Sequence, residues 1–580
     1  MRGDCYRTLA LCLCAGAVLG LGADSAAAAG FGAPSPGVIA LVVVFLLLYK
    51  ISAKGTGGAP SPPGHPFLGN TLEFLANFDT MPDLVLKYVL QFKGTFGMRM
   101  LGIGPMKHGV IIISSPENVK YVMKDAFDNF EKGPLFKAPL HDFLGNGIFT
   151  SDGAQWRTHR KVAAAMFTRN LLQLGTTVAL AQAEKLRSKI EEHVASGAEF
   201  NLQACYFNFT LDVFASIAFG VELDSQNHAH AFGTAFDYVQ RVSNDRFGNP
   251  LWEAKRALGL GNERECARQI KVMKAFGRRI IKSKRREATS DDGAAPGDNM
   301  GPDLISRFLA AARRNGDAPP SDEELLDVVL NFMIAGRDTT AAALSWTTVE
   351  LLRAPRVLEA VHAELASVLP QPPPPPPPPP QGQASGGGVG GEPTATDSES
   401  MFSAVYNRLP YLKAVCSEAL RLHPSVMKEA KFAVKADTLP DGTRVRAGQG
   451  VFFSPWVMGR LPNLFESPNE FKPERFTPKK QQQQGGGGAG DGDGGGDGGD
   501  GKRGTSLYAS VVSDYTQPVF NAGPRVCLGR PLAYLEIQLL LAFLLQRFDF
   551  KLARPTNDEY TSSLVSPLKH GLWVKAAARK

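Results

Sequence analysis

The sequence predicts a mainly α-helical fold with small β-sheets. Helical periodicity extends over most of the chain, and residues 321–350 alone could form a helix of about 30 residues, or roughly 45 Å. The clearest strand-like segments, 96–101 and 109–113, are short. Of the 580 residues, 44% are hydrophobic and 21% are charged, which is the composition of a globular protein. The net charge of +7 is too small to indicate a nucleic-acid-binding protein.

The N-terminus contains two apolar segments. Residues 1–29 have a signal-like pattern, because a basic head precedes an apolar run and a stretch of alanines. Residues 30–50 are long enough for a transmembrane anchor of about 20 residues. Lys50 and Lys54 follow it and indicate that the rest of the chain is cytosolic, with the endoplasmic reticulum as the expected membrane. The alternative is a cleaved secretory or plastid leader.

Biased composition marks the boundaries of the remaining regions. Residues 51–70 form a Pro/Gly-rich hinge, which proline stiffens. Two low-complexity inserts, at about 370–400 and 479–504, cannot bury a core and should loop out into solvent. The sequence therefore predicts one domain, 71–580, that contains both inserts.

The cysteines exclude two common kinds of site. Seven cysteines without a C-x-x-C pair give no pattern for structural zinc, and they are too sparse for a disulfide scaffold. Cys527 differs from the others in its surroundings, since it lies between Gly523 and Gly529 and just before an apolar helix at 531–545. A helix N-terminus is expected to lower the pKa of such a thiol, and the glycines would let a flat ligand approach the backbone.

The residues Phe520, Gly523, Arg525, Cys527 and Gly529 resemble the haem-ligand loop of the cytochrome P450 family, F-x-x-G-x-R-x-C-x-G. A lone cysteine would more often be a buried, inert thiol, but five identities at fixed spacing favour the resemblance. It implies that Cys527 is the axial thiolate ligand of a haem b iron. It also implies that Arg525 pairs with a haem propionate, that Phe520 shields the sulfur, and that Gly529 lies against the haem.

The centre of the long helix, 335–340, resembles the oxygen-activation motif of the same family, A-G-x-D-T-T. Because Ala335 and Gly336 have small side chains or none, they would leave a groove on the surface of the helix. The Thr339 hydroxyl could bond to the Ala335 carbonyl and open a local kink there. The resemblance implies that Asp338 and Thr339 relay protons during oxygen activation. The alternative is a capped polar patch in a buried helix.

Two further pairs match family motifs. Glu418 and Arg421 are three residues apart on one helix face and, with Arg475, correspond to a buried structural charge network. Trp156 and Arg160 are four residues apart and correspond to the W-x-x-x-R pair that binds a haem propionate.

The resemblance extends over nearly all of 62–574 apart from the inserts, and segments 145–156, 335–344 and 431–460 are similar to plant fatty-acid ω-hydroxylases. It implies hydroxylation of a long-chain fatty acid at or near its terminal carbon. Because the chain contains no dinucleotide or flavin motif, electrons from NADPH would come through a separate flavoprotein reductase or a ferredoxin.

The substrate and the reaction class have alternatives. Segments 127–149, 425–432 and 562–567 are expected to line the pocket, and their apolar residues would also fit a carotenoid, a sterol or another isoprenoid. Lys428 could meet a fatty-acid carboxylate or a haem propionate. A haem-thiolate hydroperoxide isomerase and a non-enzymatic haem protein are the other classes. The pair Asp338 and Thr339 argues against both, because neither class needs a proton relay.

Overall fold

A computed structural model describes residues 56–65, 68–100, 108–228, 230–290, 303–316, 318–371, 395–477 and 512–579. The fold is mainly helical with small sheets, as the sequence predicts. The helices are α1 (Thr71–Ala76), α2 (Met81–Phe92), α3 (Pro116–Lys120), α4 (Gly133–Leu144), α5 (Gly153–Ala164), α6 (Arg169–Ser196), α7 (Leu202–Phe219), α8 (Ala231–Asp245), α9 (Trp252–Leu258), α10 (Asn262–Ser290), α11 (Leu304–Asn315), α12 (Asp322–Arg353), α13 (Pro355–Val368), α14 (Ala395–Asn407), α15 (Pro410–Leu422), α16 (Pro455–Met458) and α17 (Arg530–Leu545). The strands are β1 (Phe96–Met98), β2 (Val110–Ile112), β3 (Phe130–Glu131), β4 (Phe200–Asn201), β5 (Glu429–Ala433), β6 (Asp437–Thr438), β7 (Arg444–Val445), β8 (Gly450–Phe453), β9 (Phe548–Leu552) and β10 (Trp573–Ala578).

The chain divides into two compact units. The first consists of the described residues within Met1–Ala138 and Lys428–Leu461. Its main sheet has the strand order β1-β2-β8-β5-β3, in which β2 pairs with β8 in parallel and the other pairs are antiparallel. Apolar residues of this sheet, such as Phe96, Ile111 and Val451, are fully buried and form its core.

The second unit comprises Pro139–Met427 and Pro462–Lys580 and contains the long helices. Helix α12 is buried along most of its length and packs against α7, α15 and α17. A three-stranded antiparallel sheet, in the order β4-β10-β9, belongs to the same unit. The sequence-predicted helices around the candidate site all lie here.

Local signals explain where these helices begin and end. The side chain of Ser321 accepts the N–H of Glu324, and the Glu324 carboxylate accepts the N–H of Ser321, so a capping box starts α12. Helix α15 ends at Leu422 with His423 as its cap, one residue before Pro424. The bounds of α12 agree with the predicted 321–350 to within three residues.

The strand predictions were too long. Strand β1 ends at Met98 and β2 covers Val110–Ile112, whereas the sequence predicted 96–101 and 109–113. Strand formation requires a partner as well as apolar residues, and the register of β1 on β2 ends with the pair Met98 and Val110.

In the described part of the chain, one helix, α7, is long and apolar enough to cross a membrane, but 72% of that helix is buried inside the protein. The predicted signal-like segment 1–29 and anchor 30–50 lie outside the described residues, as do most of both inserts.

Candidate haem-thiolate active site

The loop around Cys527 folds back on itself before α17. The Cys527 N–H donates to the Phe520 carbonyl at 2.8 Å, and a 3-10 turn, Gly523–Arg525, lies between them. Gly523 has a φ of +60°, a left-handed conformation that favours glycine. Gly529 has an ordinary φ of −81°, and a Cβ there would meet its nearest protein atoms at 3.7–3.8 Å. Backbone conformation therefore explains Gly523, whereas a ligand-related role for Gly529 stays a prediction.

The Cys527 thiol is exposed and yet lies deep within the protein. Its side chain is exposed, unlike those of the other three described cysteines, but desolvation by the surrounding protein raises the pKa of the thiol above the ordinary value. The N–H groups of Gly529 and Arg530 and the guanidinium groups of Arg530 and Arg160 act in the opposite direction. The prediction of a lowered pKa was wrong for the loop by itself, because desolvation outweighs the helix N-terminus. The thiol is therefore accessible and yet closely surrounded by protein atoms.

Helix α5 contributes cationic and aromatic groups beside this thiol. The Arg525 guanidinium lies 4.6 Å from the centre of the Trp156 ring. Burial lowers the pKa of Arg160, and the nearby charges of Cys527 and Arg525 act on it in opposite directions. The structure therefore brings together four of the predicted site residues, Trp156, Arg160, Arg525 and Cys527.

The sequence did not predict a role for Asp152. Its Oδ1 accepts a hydrogen bond from Arg525 Nη2 at 2.6 Å in a buried ion pair, and the Ser151 carbonyl accepts from the same nitrogen. The two residues are 373 positions apart, so no local spacing could have indicated the pair. Asp152 holds the Arg525 guanidinium over the Trp156 ring.

These residues fit a haem. An accessible cysteine at a helix N-terminus can ligate iron, and two guanidinium groups against one carboxylate leave positive charge for propionates. The centre of the Phe520 ring lies 5.3 Å from the centre of the Tyr534 ring and 5.2 Å from the Arg530 guanidinium. These two contacts fix the position of Phe520 in the loop.

The centre of α12 supplies a second group of predicted residues. The Thr339 hydroxyl donates to the Ala335 carbonyl at 2.6 Å, as predicted. Ala335, Gly336 and Thr339 are only partly buried, whereas the other residues of α12 from Val328 to Leu351 are buried. The interpretation of Gly336 needs correction, because a Cβ there would lie 2.0 Å from the Phe214 ring. Gly336 is small because α7 packs against it.

Asp338 is buried beside a guanidinium that it shares with another carboxylate. Arg337 Nη1 lies 3.1 Å from Asp338 Oδ1 and donates to Asp237 Oδ1 at 2.5 Å. Burial raises the pKa of Asp338 to about 7, while Arg337 and a hydrogen bond from Gln240 lower it and Asp237 raises it. Asp237, on α8, is a further residue that the sequence did not predict. This environment lets Asp338 hold a proton near neutral pH.

The predicted charge network is present. Arg421 donates to both oxygens of the fully buried Glu418 at 2.7 Å, and Arg475 donates to Glu418 Oε1 at 3.0 Å. The two arginines also donate to backbone carbonyls of residues 466–470. The network ties α15 to the segment that follows Pro462.

Lys428, for which the sequence left two partners open, lies in the first unit. Its ammonium group is 5.2 Å from the centre of the Phe78 ring, and burial lowers its pKa to about 8 while Asp79 raises it.

Comparison with known proteins agrees with this site. The sequence matches the family profile described as Cytochrome P450 over residues 59–573. It is 32% identical to cytochrome P450 monooxygenase cyp1 of Mycosarcoma maydis, over 93% of this chain and 80% of that protein. It is 28% identical to cytochrome P450 704B1 of Arabidopsis thaliana, over 93% of this chain and 99% of that protein. The crystal structure of the cytochrome P450DA heme domain superposes with a TM-score of 0.67, at 22% identity, over 90% of this chain and 97% of that one.

The fold and the thiol site define a haem-thiolate protein. The chain belongs to the cytochrome P450 family. It is therefore a P450 monooxygenase that uses haem iron, a hydrophobic substrate and electrons from a reductase.

Proposed function

We propose that this P450 hydroxylates a long-chain fatty acid at or near its terminal carbon. When bound, haem supplies the reduction of dioxygen by two electrons and two protons, which yields the hydroxylated product and one water. The single observation that carries the chemistry is the accessible but desolvated Cys527 thiol at the start of α17.

The chain's own residues would have the following roles. Cys527 would bind the haem iron through its thiolate, and Trp156, Arg160 and Arg525 would hold the propionates. Asp338 would supply a proton, since burial keeps this residue protonated up to about pH 7. The Thr339 hydroxyl would direct the transfer of that proton. Phe520 would shield the sulfur, Gly529 would let the haem approach the backbone, and Glu418, Arg421 and Arg475 would be structural.

The fatty-acid assignment is supported by the resemblance of segments 145–156, 335–344 and 431–460 to plant fatty-acid ω-hydroxylases. Hydroxylation of a carotenoid, a sterol or another isoprenoid is the second candidate, because an apolar lining would also fit those ligands. For electrons we propose an NADPH-dependent flavoprotein reductase, with a ferredoxin as the alternative. For location we propose an anchor at 30–50 in the endoplasmic reticulum with a cytosolic catalytic domain, with the plastid as the alternative.

A spectral titration of the purified full-length holoprotein tests the substrate. A ligand that displaces water from the iron shifts the haem spin state, so we expect a saturable shift with long-chain fatty acids. A shift only with a carotenoid or a sterol would overturn the fatty-acid assignment and keep the enzyme class.

The axial ligand has its own test. Cys527→Ser should abolish the thiolate-type spectrum of the reduced carbon monoxide complex. Cys205→Ser is the matched control, because Cys205 is a half-buried free cysteine outside the loop and should leave that spectrum unchanged. A thiolate spectrum in the Cys527→Ser protein would remove Cys527 from its role.

A further inference from the structure

Side-chain hydroxyl groups lie within hydrogen-bond distance of three alternate carbonyls at the centre of α12. The Ala335 carbonyl accepts from Thr339 Oγ1 at 2.6 Å, and the Thr339 carbonyl accepts from Ser425 Oγ at 2.7 Å. Thr210 Oγ1 lies 2.9 Å from the Arg337 carbonyl oxygen and 3.0 Å from the Tyr206 carbonyl oxygen of its own helix, so these carbonyls share its single proton. Thr210 belongs to α7 and Ser425 follows α15, so two of these donors come from outside the helix.

An extra donor at a helix carbonyl weakens the bond of that carbonyl to the N–H four residues later. Such donors tilt the carbonyl and allow a local opening or bend of the helix. Here they lie within one short segment, which also contains the partly buried Ala335 and Thr339. The geometry of that segment therefore depends on residues elsewhere in the chain.

Ser425 is itself held in place by a closed chain of contacts. Its carbonyl accepts the Ser566 N–H at 2.9 Å, and the Ser566 carbonyl accepts Trp346 Nε1 at 3.0 Å. Trp346 lies on α12 about two turns beyond Thr339. Its ring stacks on the His423 ring at 4.0 Å with an interplanar angle of 2°. All of these side chains are buried except that of Thr339. The hydrogen bonds therefore form a rigid connection between two positions of α12, Thr339 and Trp346, through Ser425 and Ser566.

We propose that Ser425 is a positioning residue for Thr339: its hydroxyl fixes the Thr339 carbonyl and thereby the direction of the Thr339 side chain. This inference rests on the proposed role of Thr339 in proton transfer. Ser425 and Ser566 also belong to the two segments, 425–432 and 562–567, that the sequence predicts as pocket lining. The same two loops would then contact substrate and set the geometry of oxygen activation.

The predicted defect is uncoupling. In the coupled reaction, one substrate C–H, one dioxygen, two electrons and two protons give one alcohol and one water. When proton delivery is misdirected, the same electrons and protons reduce dioxygen to hydrogen peroxide, and the substrate is unchanged. Loss of Ser425 should therefore raise peroxide per NADPH while NADPH consumption continues.

The experiment uses the full-length holoenzyme with its reductase, normalised to the carbon monoxide difference spectrum. Ser425→Ala should raise the ratio of peroxide to product about fivefold, as expected for one lost hydrogen bond, and should lower kcat more than it raises KM. Ser425→Thr keeps the hydroxyl and should restore coupling. The matched control is Ser345→Ala, which removes a fully buried hydroxyl that bonds to the Ala341 carbonyl at 2.7 Å on the same helix.

Three outcomes separate this inference from the proposed function. If Thr339→Ala and Ser425→Ala both uncouple, and the double variant is no worse than Thr339→Ala alone, the inference stands. If Thr339→Ala uncouples and Ser425→Ala does not, Ser425 has no positioning role. If Thr339→Ala leaves coupling unchanged, the proposed function of Thr339 fails first and the inference fails with it. Ser425→Cys, which keeps the size and weakens the donor, replaces the alanine variant if that variant does not fold, and it should uncouple to a smaller extent.

Discussion

Glu418 and Asp338 are buried carboxyl groups on helices of the same unit, but their surroundings differ. Glu418 accepts hydrogen bonds from Arg421, from Arg475 and from the Lys472 N–H, at 2.7–3.0 Å. Asp338 lies 3.1 Å from one guanidinium nitrogen, which bonds more closely to Asp237. The Glu418 carboxylate, with its four hydrogen bonds, holds segments of the chain together. A carboxyl group with a shared partner keeps a raised pKa and can exchange a proton near neutral pH.

The largest effect on stability should follow from removing a hydrogen-bond partner of Glu418. Arg421→Ala would leave Glu418 buried with only part of its hydrogen bonds, and such a loss costs about 3–5 kcal/mol of unfolding free energy. We expect little or no folded holoprotein, measured as the yield of haem-loaded protein and the urea midpoint.

Arg356→Ala is the matched control for that change. Its guanidinium also bonds to a glutamate, Glu474, at 2.7 Å, but the pair is exposed and solvent-screened, so its loss should change the stability very little. Equal losses in the two variants would contradict the distinction between a buried structural charge and a surface ion pair.

Glu536 is a second buried carboxyl group with a raised pKa, and it has fewer partners than Asp338. This α17 residue is 1% exposed, and neither of its oxygens has a hydrogen-bond partner among the described residues. Burial raises its pKa to about 8. The folded protein therefore keeps a proton that the unfolded chain loses above about pH 4.5, so Glu536 lowers stability progressively as the pH rises from about 4.5 to 8.

Glu536→Gln should therefore match the original protein in stability below about pH 4.5 and exceed it by a few kcal/mol at pH 8. Urea midpoints across this pH range measure the difference. Glu359→Gln, at an exposed position, is the control and should leave the urea midpoint unchanged at every pH. A stability difference that does not depend on pH would show that Glu536 is ionised, with a partner, in the folded protein.

The sequence predicted those parts of the site that depend on local spacing. Thr339 reaches the carbonyl one turn back, Glu418 reaches Arg421 on the same face, and Cys527 precedes a helix, all because helical geometry determines these contacts. The length of α12 and its start at Ser321 follow from a capping box and apolar periodicity.

The remaining features depend on contacts between distant segments. Asp152 and Arg525 are 373 positions apart, and Asp237 and Arg337 are 100 positions apart. Whether a helix N-terminus or burial decides the pKa of Cys527 also depends on how closely the rest of the protein surrounds the thiol. Spacing within one sequence contains no record of such pairs.

The smallest effect should come from changing the partner of Arg337 on α8. The charged groups that face Asp338 are Arg337, which lowers its pKa, and Asp237, which raises it. Asp237→Asn removes one negative charge and allows the guanidinium to approach Asp338, so the pKa of Asp338 should fall below about 7. If protonated Asp338 supplies the proton, product formed per NADPH decreases as the pH rises through this pKa. The decrease should then occur at a pH lower by up to about one unit in the Asp237→Asn enzyme.

The pH profile of product per NADPH distinguishes this from a structural defect, which would lower the whole curve without moving it. Asp237→Glu should keep the original profile because it keeps the charge, and the exposed Glu253→Gln, outside the pair, should also leave it unchanged. Asp338→Asn should abolish the pH-dependent decrease together with most of the product. An unchanged profile in Asp237→Asn would contradict the idea of one guanidinium shared by two carboxyl groups. In that case Asp338 would be tuned by burial alone, and the contrast with Glu418 would reduce to the number of hydrogen bonds that each group accepts.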